Sequence, residues 1–409
     1  MSMSIDSTYA VQTLTDLVQI NSVNPELSPE GAGETAVAAY VAAALQTLGL
    51  EVTIYDLGPK RMNVVGVLKG TGNGRSLLLN AHMDTVGVGG MADPFGAAVR
   101  DGRLYGRGSQ DMKGSLAAMM AAVKALVDGG AQLAGDVVLT AVADEEYASI
   151  GTDDLVRHVT GDAAIVTEPT DMSLCRAHRG FIWFEVETIG RAAHGSRYNE
   201  GIDAITHMGR FLVELEAFGW ELLQRPPHPL AGPPSIHASL LQGGSELSVY
   251  PARCTLKVER RTIPGETVAQ ATAELQAIID RLAAADPAFR ATVRPFFDRE
   301  PFEVAADAPI VQALAQAGTA VLRQPPAHTG ATFWTDAAIL AAAGIDTVLM
   351  GPIGAGLHSD EEWVEVQSVL DLAQILAETA VNFCKLPVDE RPETHTSSSL
   401  QIHRPMTQQ

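Results

Sequence analysis

What this 409-residue chain lacks narrows the field first. It has only three cysteines, Cys175, Cys254 and Cys384, an odd number with no close pair. That excludes a disulfide scaffold and a thiolate zinc knuckle, and it fits a reducing compartment. Basic residues are scarce: 28 lysines and arginines stand against 49 acids, a formal charge of −21. A polyanion with no local basic patch is repelled by nucleic acid and by acidic membrane surfaces, so neither is an expected partner. Long apolar runs are missing too, since the most apolar stretch, 116–127, is interrupted by Lys124 and too short to span a bilayer. The N-terminus shows no cationic start followed by an apolar run, so no signal peptide is expected and the chain reads as cytoplasmic.

What is present is a large potential core, with apolar residues at 46%. Val37, Tyr40, Val41, Ala44, Leu45 and Leu48 recur at helical spacing before Gly49. Short apolar runs at 63–68, 76–81, 137–142 and 163–167 read as strands, with an alanine-rich helix at 115–127 between two of them. A late strand at 347–350 precedes a helix at 366–383. Strands alternating with helices predict an α/β domain with a largely parallel sheet. Between these halves the pattern changes to strand 181–189, helix 202–218, strands 235–241 and 253–261, helix 268–284 and strand 289–297. That β-α-β-β-α-β order predicts a ferredoxin-like domain inserted into a discontinuous α/β domain. The boundaries are drawn at 1–178, 179–297 and 298–386, and the polar, aperiodic remainder, 387–409, is expected to be a disordered tail.

Chemistry concentrates at the strand exits. The run 77–81 delivers His82 and Asp84, two residues apart and so on one side of the strand. A glycine-rich stretch, 106–114, lacks phosphate-loop spacing but holds Asp111 just before the alanine-rich helix. Asp144, Glu145 and Glu146 follow the strand 137–142, Glu168 follows 163–167, and a second glycine-rich loop after 347–350 presents His358. Each signal alone has an ordinary reading: a surface pair, a helix N-cap, a solvated acidic turn. Together they assemble nitrogen and oxygen donors without thiolate, the set expected for Zn²⁺, Co²⁺ or Mn²⁺. Two histidines and three carboxylates exceed what one tetrahedral ion needs and suit two ions sharing a carboxylate.

These residues resemble the family of acetylornithine deacetylase, succinyl-diaminopimelate desuccinylase, aminoacylase and glutamate carboxypeptidase. The similarity runs from LVQINSVNP at Leu17 to LHSDEEWVEV at Val366, and DPFGAAVRDGRLYGRGSQDMKG, residues 93–114, carries it most strongly. The resemblance implies that Asp111 bridges two metal ions, His82 and Glu168 completing one site and Glu146 and His358 the other. It makes Glu145 the general base and Asp84 the partner of His82, and it implies a cis peptide after Asp111. It makes the inserted domain a lid that forms a homodimer, with His194 reaching the neighbouring site. It gives Arg261 to the substrate carboxylate and Thr335 and Asp336 to a substrate-side loop.

The function implied is a metal-dependent deacylase acting on N-acyl amino acids or related small amides, zinc being the first expectation for its two divalent ions. A dipeptidase or carboxypeptidase of the same family is the alternative, and a non-catalytic metal- or amino-acid-binding relative a further one. Two positions depart from the family pattern: Ser248 stands where asparagine is common, and Trp334 where glycine often precedes Thr-Asp. Both lie on the substrate side. Of the remaining histidines, His178 and His328 sit near the lid hinge and the Thr-Gly-Ala loop, while the others read as surface or capping residues.

Overall fold

The computed structural model describes residues 4–387, which divide into two compact units. The first comprises 4–176, 304–329 and 335–387, and the second Ala177–Glu303 with Gly330–Trp334. The tail expected at 387–409 lies outside the described residues, Pro387 excepted.

At the centre of the first unit are four parallel strands in the order Val137–Val142, Leu77–His82, Ala163–Val166 and Asp346–Leu349. The first three bury every residue, as parallel strands covered on both faces must, which is why they read as unbroken apolar runs. The margins are antiparallel: Arg61–Leu68 pairs with Val137–Val142, Glu51–Gly58 with Arg61–Leu68, and Leu174–His178 with Asp346–Leu349 through Cys175.

The helix Gly114–Asp128 packs against Ser7–Gln19 and Val366–Phe383. It is apolar over most of its surface because it is enclosed there, with Leu116, Met119, Met120 and Val123 fully buried, and it reaches solvent near its end at Lys124 and Asp128. Ser7–Gln19 starts where the Asp6 carboxylate accepts the Tyr9 N–H at 3.0 Å. In the central strands Asn80 stands beside both Thr140 and Val166, and Leu349 beside Val166. Their carboxyl ends therefore leave the sheet side by side, about 4.8 Å apart from strand to strand.

The chain leaves this unit at Arg176 and re-enters at Val304. There the Val304 N–H donates to the Arg176 carbonyl at 2.8 Å, and Arg176 Nη1 donates back to the Val304 carbonyl at 3.1 Å.

The second unit is an antiparallel sheet in the order Ser235–Gly243, Arg253–Thr262, Gly180–Ile189, Arg290–Arg299. With the helices Ala204–Gln224 and Val268–Ala285 it has the ferredoxin-like arrangement expected from the element order. Gly180–Ile189 alternates strictly, sending Ile182, Phe184 and Val186 into a core shared with Phe211, Leu215, Leu275 and Ile278. Both helices are capped: Asp203 accepts the Thr206 N–H, and Thr267 and Gln270 form a reciprocal capping box. The last strand continues past the expected end at 297 because Arg299 still pairs with Phe181. Gly330–Trp334 groups with this unit because the Trp334 ring meets His178 and Phe181 edge-on, at 6.2 and 6.3 Å between centroids. Among the described residues, no helix is long and apolar enough to cross a membrane.

Phe184 is fully buried among the two helices of the second unit. Phe184→Ala is expected to cost about 3–5 kcal/mol of folding stability, the range for emptying a buried aromatic site. Urea unfolding of the metal-free protein followed by circular dichroism checks this, and a loss below about 1 kcal/mol would contradict the packing described.

Candidate metal centre

Four of the strand exits, with the turn before Gly114–Asp128, bring their side chains to one place in the first unit. His82 is the last residue of its strand and is buried. Its Nδ1 lies 2.9 Å from the Asp84 main-chain carbonyl and 3.6 Å from the Asp84 carboxylate, so the carbonyl sets the ring's orientation. That leaves Nε2 facing Asp111 Oδ1 at 3.1 Å and Glu168 Oε1 at 3.7 Å. The other oxygen of Asp111, Oδ2, lies 3.4 Å from His358 Nε2, which is also 3.1 Å from Glu146 Oε2. Asp111 thus turns one oxygen to each imidazole, and the peptide bond Asp111–Met112 is cis.

Two overlapping donor groups result, His82 with Glu145 and Glu168, and His82 with Asp111 and Glu146, each with its donor atoms within 4.8 Å of one another. By distance, Glu145 stands among the donors rather than behind them. Among the described residues, no lysine or arginine ion pair reaches these four carboxylates; their cationic partners are the two imidazoles.

The electrostatics follow from this crowding. Burial is the largest effect on Glu145 and on Glu168, and with neighbouring carboxylates it pushes both well above the usual glutamate range. Burial and then the Asp111 charge raise Glu146 to about 7. Burial alone would also raise Asp111, but hydrogen bonds from His358 and His82 hold its carboxyl far below the ordinary value. Burial opposes charge on His82, yet Asp111 and Glu168 outweigh it and lift that imidazole well above its normal pKa. His358 is raised to about 10 by hydrogen bonds to Asp111 and Glu146. Three glutamates pushed up by burial and by one another's charge, facing imidazoles raised by the same carboxylates, form a donor set fitted to divalent cations.

A layer of buried polar residues lies beneath. The Asp84 carboxylate accepts the N–H groups of Glu145 and Glu146 at 3.1 and 3.3 Å, and Asn24 Nδ2 at 2.7 Å. Asn24 also donates to Asp144 at 2.9 Å and accepts from Arg61 Nη2 at 2.5 Å. Arg61 completes the layer with Asp144 at 3.0 Å and Glu34 at 2.6 Å. Glu34 is nevertheless raised to about 8, by burial first and by the Asp84 charge second. Asn24, Glu34 and Arg61 are absent from the sequence expectations. Asn24 lies within the LVQINSVNP stretch, but nothing local ties it to Asp84, 60 residues away.

The remaining expected residues stand outside the two donor groups, although the Asp336 charge helps to raise Glu145 and Glu168. Thr335 and Asp336 are buried in the first unit; Thr335 Oγ1 accepts the Ala337 N–H, and Asp336 accepts the Thr152 hydroxyl at 2.6 Å. His194 and Arg261 belong to the second unit. His194 is exposed, its Nδ1 2.8 Å from the Ser196 hydroxyl, and the adjacent Gly195 N–H donates to the carbonyl of Ser248, an exposed residue. The Arg261 guanidinium pairs with Glu259 at 2.6 Å and lies over the Phe181 ring at 5.2 Å. His178 packs against Phe302, and His328 accepts from Arg176 at 2.8 Å, both structural settings.

Comparison with known proteins places these observations. The sequence profile of peptidase family M20/M25/M40 matches residues 78–382. Acetylornithine deacetylase of Myxococcus xanthus is 32% identical over 357 residues, covering 84% of this chain and 91% of that protein. N-formyl-4-amino-5-aminomethyl-2-methylpyrimidine deformylase of Bacillus subtilis (strain 168) is 29% identical, covering 87% of this chain and 91% of its own. The crystal structure of aminopeptidase PepT from Bacillus cereus shares the fold, with a TM-score of 0.77 at 18% identity over 93% of this chain and 99% of that one.

Since hydrogen bonds to Asp111 and Glu146 raise His358 to about 10, a cation bound through its ring must displace a proton, and the upward shift of His82 acts in the same direction. Loading with Zn²⁺ near pH 8 is expected to release at least one proton, from the His358 ring. Affinity should climb about tenfold per pH unit for each proton released, rising toward alkaline pH. Calorimetry in buffers of different ionisation enthalpy measures the release, and affinity independent of pH between 6 and 9 would overturn the donor assignment.

Proposed function

The chain belongs to the M20/M25/M40 peptidase family, and from that premise we propose that it is a deacylase hydrolysing the amide bond of N-acyl amino acids or related small amides. It is a metal-dependent hydrolase of carbon–nitrogen bonds. The observation that carries the reading is Asp111 turned between two imidazoles with Glu145 beside them. The deacylase form is supported by the deacetylase and deformylase relatives, each similar along most of its length.

In this reading His82 and Glu168 would hold one divalent ion and Glu146 and His358 the other, with Asp111 shared. When bound, the pair of ions, zinc before cobalt or manganese, supplies a water of lowered pKa and polarises the amide carbonyl. Glu145 accepts the proton of the attacking water and delivers it to the leaving amine, base first and acid second. Asp84 fixes the main chain of Glu145 and Glu146 through its carboxylate and the His82 ring through its carbonyl. Arg261 supplies a planar donor for the substrate carboxylate. Thr335 and Asp336 shape the loop on the substrate side. The small number of cysteines, all three buried, supports a reducing cytoplasm as its location.

His194 would stabilise the tetrahedral oxyanion from the second unit of a partner protomer. A homodimer through that unit is supported by an outer strand, Ser235–Gly243, that pairs on one side only and exposes Leu240 and Leu241. The neighbouring helix exposes Val213 and Trp220, at 66% and 64%.

A peptidase of the same family is the second reading, differing in what occupies the acyl side. A panel of N-acetyl and N-formyl amines against dipeptides, run on the zinc- or cobalt-loaded enzyme, separates the two. Dipeptides turned over faster than every N-acyl amine would replace the deacylase reading, and no turnover of either class would favour a non-catalytic binder.

Glu145→Ala is expected to lower turnover about 10²–10⁴-fold, the usual worth of a general base, while two ions remain bound. Glu146→Ala should lose an ion. Elemental analysis with single-substrate kinetics reads both, and the reverse pattern of metal contents would exchange the two roles.

Mixing Glu145→Ala with His194→Ala protomers tests the dimer. If His194 serves the partner's site, half the dimers are mixed and each has one complete site, so activity returns to about a quarter of wild type. No recovery after subunit exchange, verified with tagged chains, would retire the cross-protomer role.

A further inference from the structure

Glu362 lies four residues beyond His358 and is 1% exposed, and both oxygens of its carboxylate are fully engaged. Oε1 accepts the N–H groups of Gln110 at 2.9 Å and Asp111 at 3.1 Å. Oε2 accepts the Gly108 N–H at 3.0 Å and Arg107 Nη1 at 2.6 Å. Arg107, itself buried, reaches on to the carbonyls of Ser359 at 2.8 Å and Gly87 at 3.0 Å. The main chain closes the same contact, the Gly106 N–H donating to the Glu362 carbonyl at 3.0 Å.

Three main-chain N–H groups aimed at one point, with a guanidinium beside them, require an acceptor that offers no hydrogen of its own. An ionised carboxylate meets that requirement on both oxygens, whereas an amide would set its NH₂ against two of the donors. The donors all belong to the turn that carries Asp111, and the carboxylate belongs to the segment that carries His358. Asp111 and His358 are 247 positions apart in sequence, yet their side chains lie 3.4 Å apart.

We propose that Glu362, held by Arg107, is a positioning residue for the two-metal centre, fixing the Asp111 turn against the His358 segment so that each oxygen of Asp111 faces one imidazole. This rests on the reading of Asp111 and His358 as metal donors. Glu362 touches neither substrate nor the expected ions. It acts through the main chain on either side of the shared carboxylate, as the partners that orient metal ligands do.

Zn²⁺ affinity, measured on the purified full-length protein by competition with a chromophoric chelator, tests this without reference to activity. Glu362→Gln is expected to weaken at least one of the two binding steps about 10–100-fold, and to alter the visible spectrum of the Co²⁺ form. Arg107→Lys, which keeps the charge but loses the forked reach, should weaken the same step by less. It carries the test if Glu362→Gln does not fold. Leu372→Ala, a core change remote from the centre, provides the comparison for a purely structural loss: a lower melting temperature with both zinc affinities retained. Wild-type affinity and an unchanged cobalt spectrum in a folded Glu362→Gln or Arg107→Lys protein would overturn the proposal. Wild-type protein binding fewer than two ions, or Asp111→Asn and His358→Ala binding as wild type does, would instead sink the underlying metal reading.

Discussion

Four carboxylates gathered around two imidazoles at the ends of buried strands repel one another, and the first unit is arranged around that repulsion. Asp111, Glu145, Glu146 and Glu168 have no lysine or arginine ion partner among the described residues. The guanidiniums stand one layer away. Arg61 is neutralised by Glu34 and Asp144, and Arg107 by Glu362. Buried arginines that faced the donors directly would compete with a cation for them; committed to other acids, they orient the loops and leave the donors open. An unpaired buried charge costs several kcal/mol, and each of these two buried guanidiniums is accordingly held against a buried acid.

The parallel sheet makes this gathering possible. Side-by-side strand ends deliver His82, Glu145, Glu146 and Glu168 from separate parts of the chain to one rim, with no long loops required. Asp111 and His358 are different, since neither is a direct continuation of a strand. Asp111 sits in an irregular turn before a helix, and His358 adopts a left-handed backbone with φ of 58°. Distant side chains hold the main chain at both places, Glu362 at Asp111 and Arg107 at Ser359 beside His358.

Legibility in the sequence follows the same division. The strands 137–142 and 163–166 and the helix 366–383 are readable because a buried parallel strand or an enclosed helix writes its burial as an unbroken or periodic apolar run. The donors are readable because acids and histidines directly after such runs are out of place unless something offsets them. The strand Glu51–Gly58 is hard to read, since it lies at the edge with no residue buried and its apolar alternation breaks at Tyr55. The helix Pro309–Leu322 carries its signal in the proline at its start and in its apolar face. Asn24, Arg61 and Glu362 could not be read at all, because the partners that matter here lie from 27 to 255 positions away and a lone Asn, Arg or Glu has no local pattern. The sequence also pointed to the Asp84 carboxylate as the His82 partner, whereas the carbonyl of the same residue makes that contact. Spacing identifies a residue, and only the backbone decides which of its atoms is used.

The paired hydrogen bonds between Arg176 and Val304 have a topological consequence. The chain departs and returns at one point, so for the first unit the intervening 177–303 segment is a closed loop whose ends are already joined. Loop-closure entropy grows only logarithmically with length, about 0.6 kcal/mol for each doubling. Lengthening, shortening or exchanging the insert therefore changes little in the free energy of forming the sheet beneath it. The metal donors all lie outside that loop, on 82–168 and at 358. The donor centre and the inserted unit are consequently free to diverge at different rates, the first held by its charge balance and the second outside that constraint.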